Sequence, residues 1–264
     1  MKKKAIRFQP RFEQVLLIML LFALTACKNT PTRHEIIEPA VISKDSIRTH
    51  KNIPETHKAF LARFLPEIQK ANNRILTQRN RVLDLRDSLE KNESLDKAGW
   101  QEMSRLLVEY RIQASGKGFT TAKDSISSIL DVLLRRVDII PVKLVMAQAI
   151  IESGWGTSSF AREGNNYFGV HCYTEGCGVK PSGRDSASFY VKVYPSEMDG
   201  IHDYLWILNT GSAYRELRHL REELRENGKP IDPLVLARGL QKYSIKGEKY
   251  VELVSNIIRN YIPR

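Results

Sequence analysis

The sequence predicts a mainly helical α+β fold: a helical lobe with a small β-hairpin lobe, preceded by long N-terminal helices. Three observations carry this. Apolar residues recur at helical spacing over Glu55–Glu90, again before Glu152, and again from Glu197 to the C-terminus. Residues 164–195 break that periodicity and are rich in Gly, aromatics and Val, with strand-like alternation from Phe189 to Tyr194. No internal repeat is visible. The chain has 264 residues, 42% hydrophobic and 27% charged, enough apolar surface for a folded core.

The elements follow in order. Residues 1–26 have a basic start (Lys2, Lys3, Lys4, Arg7, Arg11), an uncharged apolar run from Val15 to Leu24, and then Leu24-Thr25-Ala26-Cys27. The run is short for a membrane span, which takes about 20 residues, and fits the core of a signal peptide. The four last residues resemble the lipobox of bacterial lipoproteins. That resemblance implies cleavage before Cys27, acylation of Cys27, and a lipid-anchored protein of the cell envelope. Lys28 after the cysteine points to the outer membrane, facing the periplasm. The alternative is an uncleaved anchor helix with an incidental cysteine. The formal charge of the whole chain is +11; without residues 1–26 it carries 36 basic and 29 acidic groups. A basic surface suits nucleic acid, membranes, or the acidic peptides and polymers of a cell wall. Nucleic acid conflicts with the export signal, and no Walker loop, dinucleotide fingerprint or zinc-finger spacing is present.

Residues 27–54 are polar, contain Pro31, Pro39 and Pro54, and read as a tether. An N-terminal helical extension is expected over 55–135. Leu61, Ile68, Ile75, Val82 and Leu89 recur every seven residues, but Asn72, Arg79 and Arg86 interrupt the companion positions. Such a seam suits a coiled coil less well than a helix lying on the protein's own core. Helices are expected near Lys97–Ile112, Ser125–Val137 and Val142–Glu152, the last opened by Pro141 and closed by Gly154 and Gly156. Ser115-Gly116-Lys117-Gly118 marks a break between the first two. After the β lobe, helices are expected at about Glu197–Asn209, Tyr214–Glu226, Pro233–Gln241 and Tyr250–Tyr261.

The chemistry centres on Glu152. Val142–Ile151 is almost wholly apolar, Glu152 closes the run, and Gln148 lies one turn earlier on the same face. A carboxyl at the end of a buried helix is desolvated, which raises its pKa and keeps it a proton donor nearer neutral pH. The bland alternative is a glutamate that turns out to solvent.

The surrounding motifs bear on that choice. Ala147-Gln148-Ala149-Ile150-Ile151-Glu152-Ser153-Gly154-Trp155-Gly156 resembles the catalytic helix of glucosaminidases in glycoside hydrolase family 73. Asn165-Asn166-Tyr167-Phe168-Gly169 resembles that family's next motif. Val193-Tyr194-Pro195-Ser196 with Asp203-Tyr204 is similar to its post-hairpin segment, and Lys242-Tyr243-Ser244 with Lys249-Tyr250 to its C-terminal tyrosine motif. The likeness is greatest to the Bax-type branch, through Arg162-Glu163, the Cys172–Cys177 hairpin and the helices before Pro141, and it covers about residues 55–264.

The resemblance implies a lysozyme-like catalytic domain over 136–264. It implies hydrolysis of the β-1,4 bond after N-acetylglucosamine in peptidoglycan, with no cofactor. It makes Glu152 the general acid and sets Tyr243 across the cleft, positioning substrate or water. Gln148, Asn165, Asn166, Phe168 and Tyr194 would shape the cleft around the sugars, though Phe168 and Tyr194 also suit a core and the two asparagines a turn. Trp155 is a stacking or packing residue, and Tyr250 reads as structural. A partner for Glu152 must come from Glu175, from Asp185, or from the substrate's own N-acetyl group. A lytic transglycosylase or muramidase on the same scaffold, and a non-catalytic wall-binding lipoprotein, are the rival functions. With Cys27 lipidated, Cys172 and Cys177 form an even pair that reads as a disulfide. Zinc with His171 is the alternative, and the crowding makes a poor tetrahedral site.

Overall fold

Apolar periodicity over Glu55–Glu90 becomes one helix in the computed structural model, which describes residues 42–49, 53–113, 121–181 and 187–263. Cys27 and Asp185 lie outside the described residues, as do the rest of the expected signal peptide and the Ser115–Gly118 break. Helix α1 is Lys44–Thr49 and α2 is Glu55–Asn92, 38 residues long. Then come α3 (Lys97–Glu109), α4 (Lys123–Arg136), α5 (Val142–Ser153) and α6 (Ser159–Gly164). Strands β1 (His171–Cys172), β2 (Gly178–Val179) and β3 (Tyr190–Lys192) form the β lobe. Helices α7 (Glu197–Thr210), α8 (Arg215–Glu226), α9 (Pro233–Ala237) and α10 (Glu248–Asn260) complete the chain. Among the described residues no helix is long and apolar enough to cross a membrane.

Helix α5 is apolar on every side, which is the pattern of a helix with no solvent face. Leu144, Val145, Met146, Ala147 and Ala149 are wholly buried, and α2, α9 and α10 pack around them. The long helix α2 packs on the same core as α5, and the self-packing reading of its heptads holds. Of the stretch expected as a tether over 27–54, only 42–49, 53 and 54 are among the described residues. Ile42, Ile47 and Ile53 are buried in that core, and α1 packs on α2. Polar flanks masked three well-spaced isoleucines.

The interruptions in the α2 heptads have a specific use. The connector from α4 to α5 runs through the interior, so its backbone groups need partners. Asn72 donates to the Ile140 carbonyl at 2.8 Å and accepts from Ile140 N at 3.3 Å. Arg79 donates to the carbonyls of Leu134 (2.5 Å) and Val137 (3.1 Å). From the other side, Arg221 donates to the carbonyls of Arg135, Asp138 and Ile139 and to Asn209 Oδ1, all within 3.0 Å. Asp138, 2% exposed, receives Arg225 through both carboxylate oxygens (2.9 and 3.1 Å) and lies 3.3 Å from Arg79. Burial alone would raise its pKa, but Arg79, Arg221 and Arg225 together hold it below the ordinary aspartate value.

The β lobe differs from a simple hairpin. Strand β3 is central in the order β1-β3-β2, antiparallel to both neighbours, with Val191 opposite His171 on one side and Val179 on the other. The outer strands are two residues each and are joined by the Cys172–Cys177 disulfide (Cα–Cα 6.2 Å), which takes both sulfurs and leaves none for zinc.

Breaking the Asp138 cluster leaves buried guanidinium groups uncompensated, so Asp138→Asn is expected to destabilise the fold by about 3–5 kcal/mol in urea denaturation. Because the folded-state pKa of Asp138 is lowered, its contribution is complete above the unfolded aspartate pKa. It is lost as pH falls through the folded value; the acid limb of a stability–pH curve should flatten in the variant.

Candidate active site

Glu152 stands one residue before the end of α5, where the helix stops at Gly154 in the left-handed conformation (φ +57°). Ser153 secures the exit: its hydroxyl donates to the Ala149 carbonyl (2.6 Å) and accepts from Gly156 N (2.7 Å). Gly156 is needed for space as well as for its φ of +76°, since a β-carbon there would come within 2.9 Å of the Phe60 ring on α2. The chain next forms α6, turns through Asn165 (φ +52°), and returns to the helix end at Gly169. A β-carbon at Gly169, also left-handed (φ +65°), would lie 3.7 Å from Glu152 Oε2. The glycine places no side chain of its own on that oxygen.

The other oxygen is held from behind. Tyr250 donates to Glu152 Oε1 at 2.7 Å. Gln148 Nε2 donates to the Tyr250 hydroxyl at 3.1 Å, and Tyr204 donates to Gln148 Oε1. Every donor in this chain points toward the carboxyl, and Gln148 can serve both neighbours because its amide offers one acceptor and one donor side. Tyr204 is stacked on Phe168 (centroids 3.9 Å apart), and Tyr250 on Tyr243 (5.3 Å). Tyr243 in turn donates to the Phe168 carbonyl at 2.8 Å and so binds the C-terminal segment to the Phe168–Gly169 turn.

Burial pushes the Glu152 pKa above the ordinary glutamate value; the Tyr250 hydrogen bond and the positive charge of Lys246 oppose the rise without cancelling it. The result is a carboxyl poised toward its neutral, proton-donating form through desolvation, with no second acid contributing among the described residues. Burial and the adjacent Glu152 keep Tyr250 a phenol.

Several sequence expectations resolve differently. Gln148 shares the face of Glu152 but is wholly buried, so it acts on Tyr250 and has no surface to offer a ligand. Asn166 is 2% exposed; its side chain donates to the Val170 and Lys192 carbonyls and accepts from Val170 N, binding the β lobe to the helical lobe. Asn165 donates to the Tyr194 carbonyl at 2.9 Å. Phe168 and Tyr194 are buried, and the Tyr194 hydroxyl donates to Asp203 (2.6 Å), which also receives Lys192 (2.7 Å). These four are structural: their hydrogen bonds and packing join the small sheet to the helices around Glu152. Trp155 is partly exposed and is clasped by His57 (rings 3.7 Å apart) and by the edges of Phe60 and Tyr261. Glu175 is exposed on the disulfide loop and makes no hydrogen bond or ion pair among the described residues.

Tyr250, structural by its sequence context, is brought by the fold onto Glu152. Its spacing within one helix could not reveal this, because its partner lies 98 positions away.

Comparison with known proteins gives a consistent picture. The family model described as mannosyl-glycoprotein endo-beta-N-acetylglucosaminidase, or glucosaminidase, matches residues 127–262. Protein Bax of Escherichia coli (strain K12) is 30% identical over 208 residues, spanning 79% of this chain and 70% of that protein. No solved structure matches the chain significantly.

The hydrogen bond from Tyr250 stabilises the Glu152 carboxylate, so Tyr250→Phe is expected to raise the Glu152 pKa further. Carboxyl-carbon NMR of the two proteins across a pH series would show it; an unchanged or lower value in the variant counts against the arrangement.

Proposed function

The chain belongs to the glucosaminidase family, in its Bax-type branch, and on that footing we propose that it is an endo-β-N-acetylglucosaminidase that hydrolyses the β-1,4 bond after N-acetylglucosamine in peptidoglycan. The observation that carries the reading is the state of Glu152: desolvated, fixed through Oε1 by Tyr250, and unscreened by any side chain at Gly169. Such a carboxyl suits proton delivery to a glycosidic oxygen.

In the proposed reaction, Glu152 protonates the leaving oxygen as the C1–O bond breaks. The carbonyl oxygen of the sugar's own 2-acetamido group attacks C1 and holds it as an oxazolinium ring. Glu152, now a carboxylate, takes a proton from water as that water attacks C1, and the ring reopens to the acetamido group. The configuration at C1 is retained. The acetamido route fits a site in which, among the described residues, no carboxylate raises the Glu152 pKa and Glu175 is exposed with no partner to orient it. Tyr243 and Tyr250 position the groups around the acid.

Place in the cell is part of the proposal. Cleavage after residue 26 and acylation of Cys27 would tether the enzyme to the outer membrane, facing the periplasm and the wall; the charged, apolar and lipobox zones of the N-terminus support this. The mass of the mature N-terminus tests it, and an unmodified Cys27 would refute it.

Glu152→Gln is expected to lower the rate about 10²–10⁴-fold, the usual contribution of a general acid, while Glu175→Gln stays close to wild type. Mass spectrometry of digested peptidoglycan should find reducing N-acetylglucosamine ends. Anhydromuramic ends would assign the chain to lytic transglycosylases instead, and a Glu175→Gln loss equal to that of Glu152→Gln would make Glu175 the nucleophile or base.

A further inference from the structure

The segment between Tyr243 and Tyr250 is fixed to the site at both ends and open to solvent in the middle. Tyr243 holds the Phe168 carbonyl and Tyr250 holds Glu152. Between them the backbone turns, with Gly247 N donating to the Ser244 carbonyl at 3.0 Å and Gly247 itself left-handed (φ +53°). At this turn Ile245 is fully exposed (106%) and Lys246 is exposed beside it.

Charge on this segment is one-sided. Lys242, Lys246 and Lys249 are exposed, and none of the three forms an ion pair among the described residues. The acidic Glu248 on the same stretch accepts from Gln241 at 2.8 Å. Elsewhere the protein pairs many of its surface cations, as in Lys58–Glu55, Arg105–Glu102, Lys123–Glu93 and Arg135–Glu222. Lys246 is also close enough for its field to favour the ionised form of Glu152. A free cation there works against a proton donor, so its position is unfavourable for the acid until an anion arrives to neutralise it. An isolated exposed isoleucine is ordinary surface. An isoleucine and an ammonium without an ion pair among the described residues, at one turn joined by two tyrosines to the acid, offer an apolar contact and a cation to a ligand that reaches Glu152.

We propose that Lys246, with Ile245 beside it, recognises a carboxylate-bearing substituent on the glycan, so that the site prefers strands whose alternate sugars carry an acidic lactyl or peptide group over neutral polymers of N-acetylglucosamine. This rests on the glycosidase reading above. It makes Lys246 a specificity determinant: the arriving carboxylate pairs with the ammonium, and the methyl groups of the substituent lie on Ile245. Pairing also removes the field that favours ionised Glu152, so an acidic substrate completes the proton donor that will act on it.

The test compares wild type, Lys246→Ala and Lys246→Arg on three substrates: peptide-bearing strands, strands stripped to the free lactyl carboxylate, and neutral β-1,4-linked N-acetylglucosamine oligomers. Lys246→Ala is expected to lower kcat/KM on carboxylate-bearing strands about tenfold, as for loss of a charge-assisted contact, mainly through KM, without lowering it on the neutral oligomers. Lys246→Arg should restore the preference, and added salt should erode it in wild type. A loss confined to peptide-bearing strands assigns the carboxylate to the peptide; a loss that includes stripped strands assigns it to the lactyl group. Equal losses on acidic and neutral substrates, or no loss on any, would overturn the proposal. Binding of the same three glycans to Glu152→Gln protein, with and without Lys246→Ala, is read in parallel. If wild type cleaves none of them, the glycosidase reading fails by itself, and charge-selective binding that disappears with Lys246 still decides the role of that residue.

Discussion

A buried stretch of backbone governs this structure. The connector that leads from α4 into α5 crosses the core, and its carbonyls cannot reach water. Asn72, Arg79, Asn209 and Arg221 supply donors to six carbonyls between Leu134 and Ile140. Asp138 sets its carboxylate among three guanidinium groups, and the carbonyl oxygens share the remaining positive charge. An unpaired polar group in such a place is costly, so the cluster has one satisfactory arrangement. That arrangement fixes where α5 begins.

The far end of α5 is held by a different chemistry. Tyr204, Gln148 and Tyr250 form a line of donors ending on Glu152, and the two tyrosines are stacked on Phe168 and Tyr243. The helix between these ends is apolar on all sides and grips α2, α9 and α10. A rigid rod anchored at both ends carries the carboxyl to one position. The same burial that anchors the rod desolvates its last turn, so the fold's stability and the proton affinity of Glu152 have a common origin. Asn165, Asn166 and the Tyr194–Asp203–Lys192 group join the small sheet to the helices by hydrogen bonds.

Apolar spacing and composition by themselves determined the helical course of the chain, the break at residues 164–195, and the central apolar helix ending in Glu152, because these depend on local period and on neighbours a few residues apart. The ordered motifs identified the family for the same reason: they are contiguous strings. Even the misfits were legible as misfits, since Asn72 and Arg79 visibly spoil a heptad seam. What they do was decided only by tertiary structure, for their partners at Leu134–Ile140 are more than fifty residues away. Tyr250 belongs to the same class: on its own helix it is one more buried aromatic, and only the packing of α10 on α5 sets its hydroxyl against Glu152. Tertiary structure likewise turned Gln148 and Asn166 inward, placed β3 at the centre of the sheet, and drew Ile42 and Ile47 out of an apparent tether into the core. Sequence period says which side of an element is apolar; which distant donor meets which buried acceptor follows from how the elements cross, and a linear pattern carries no record of that.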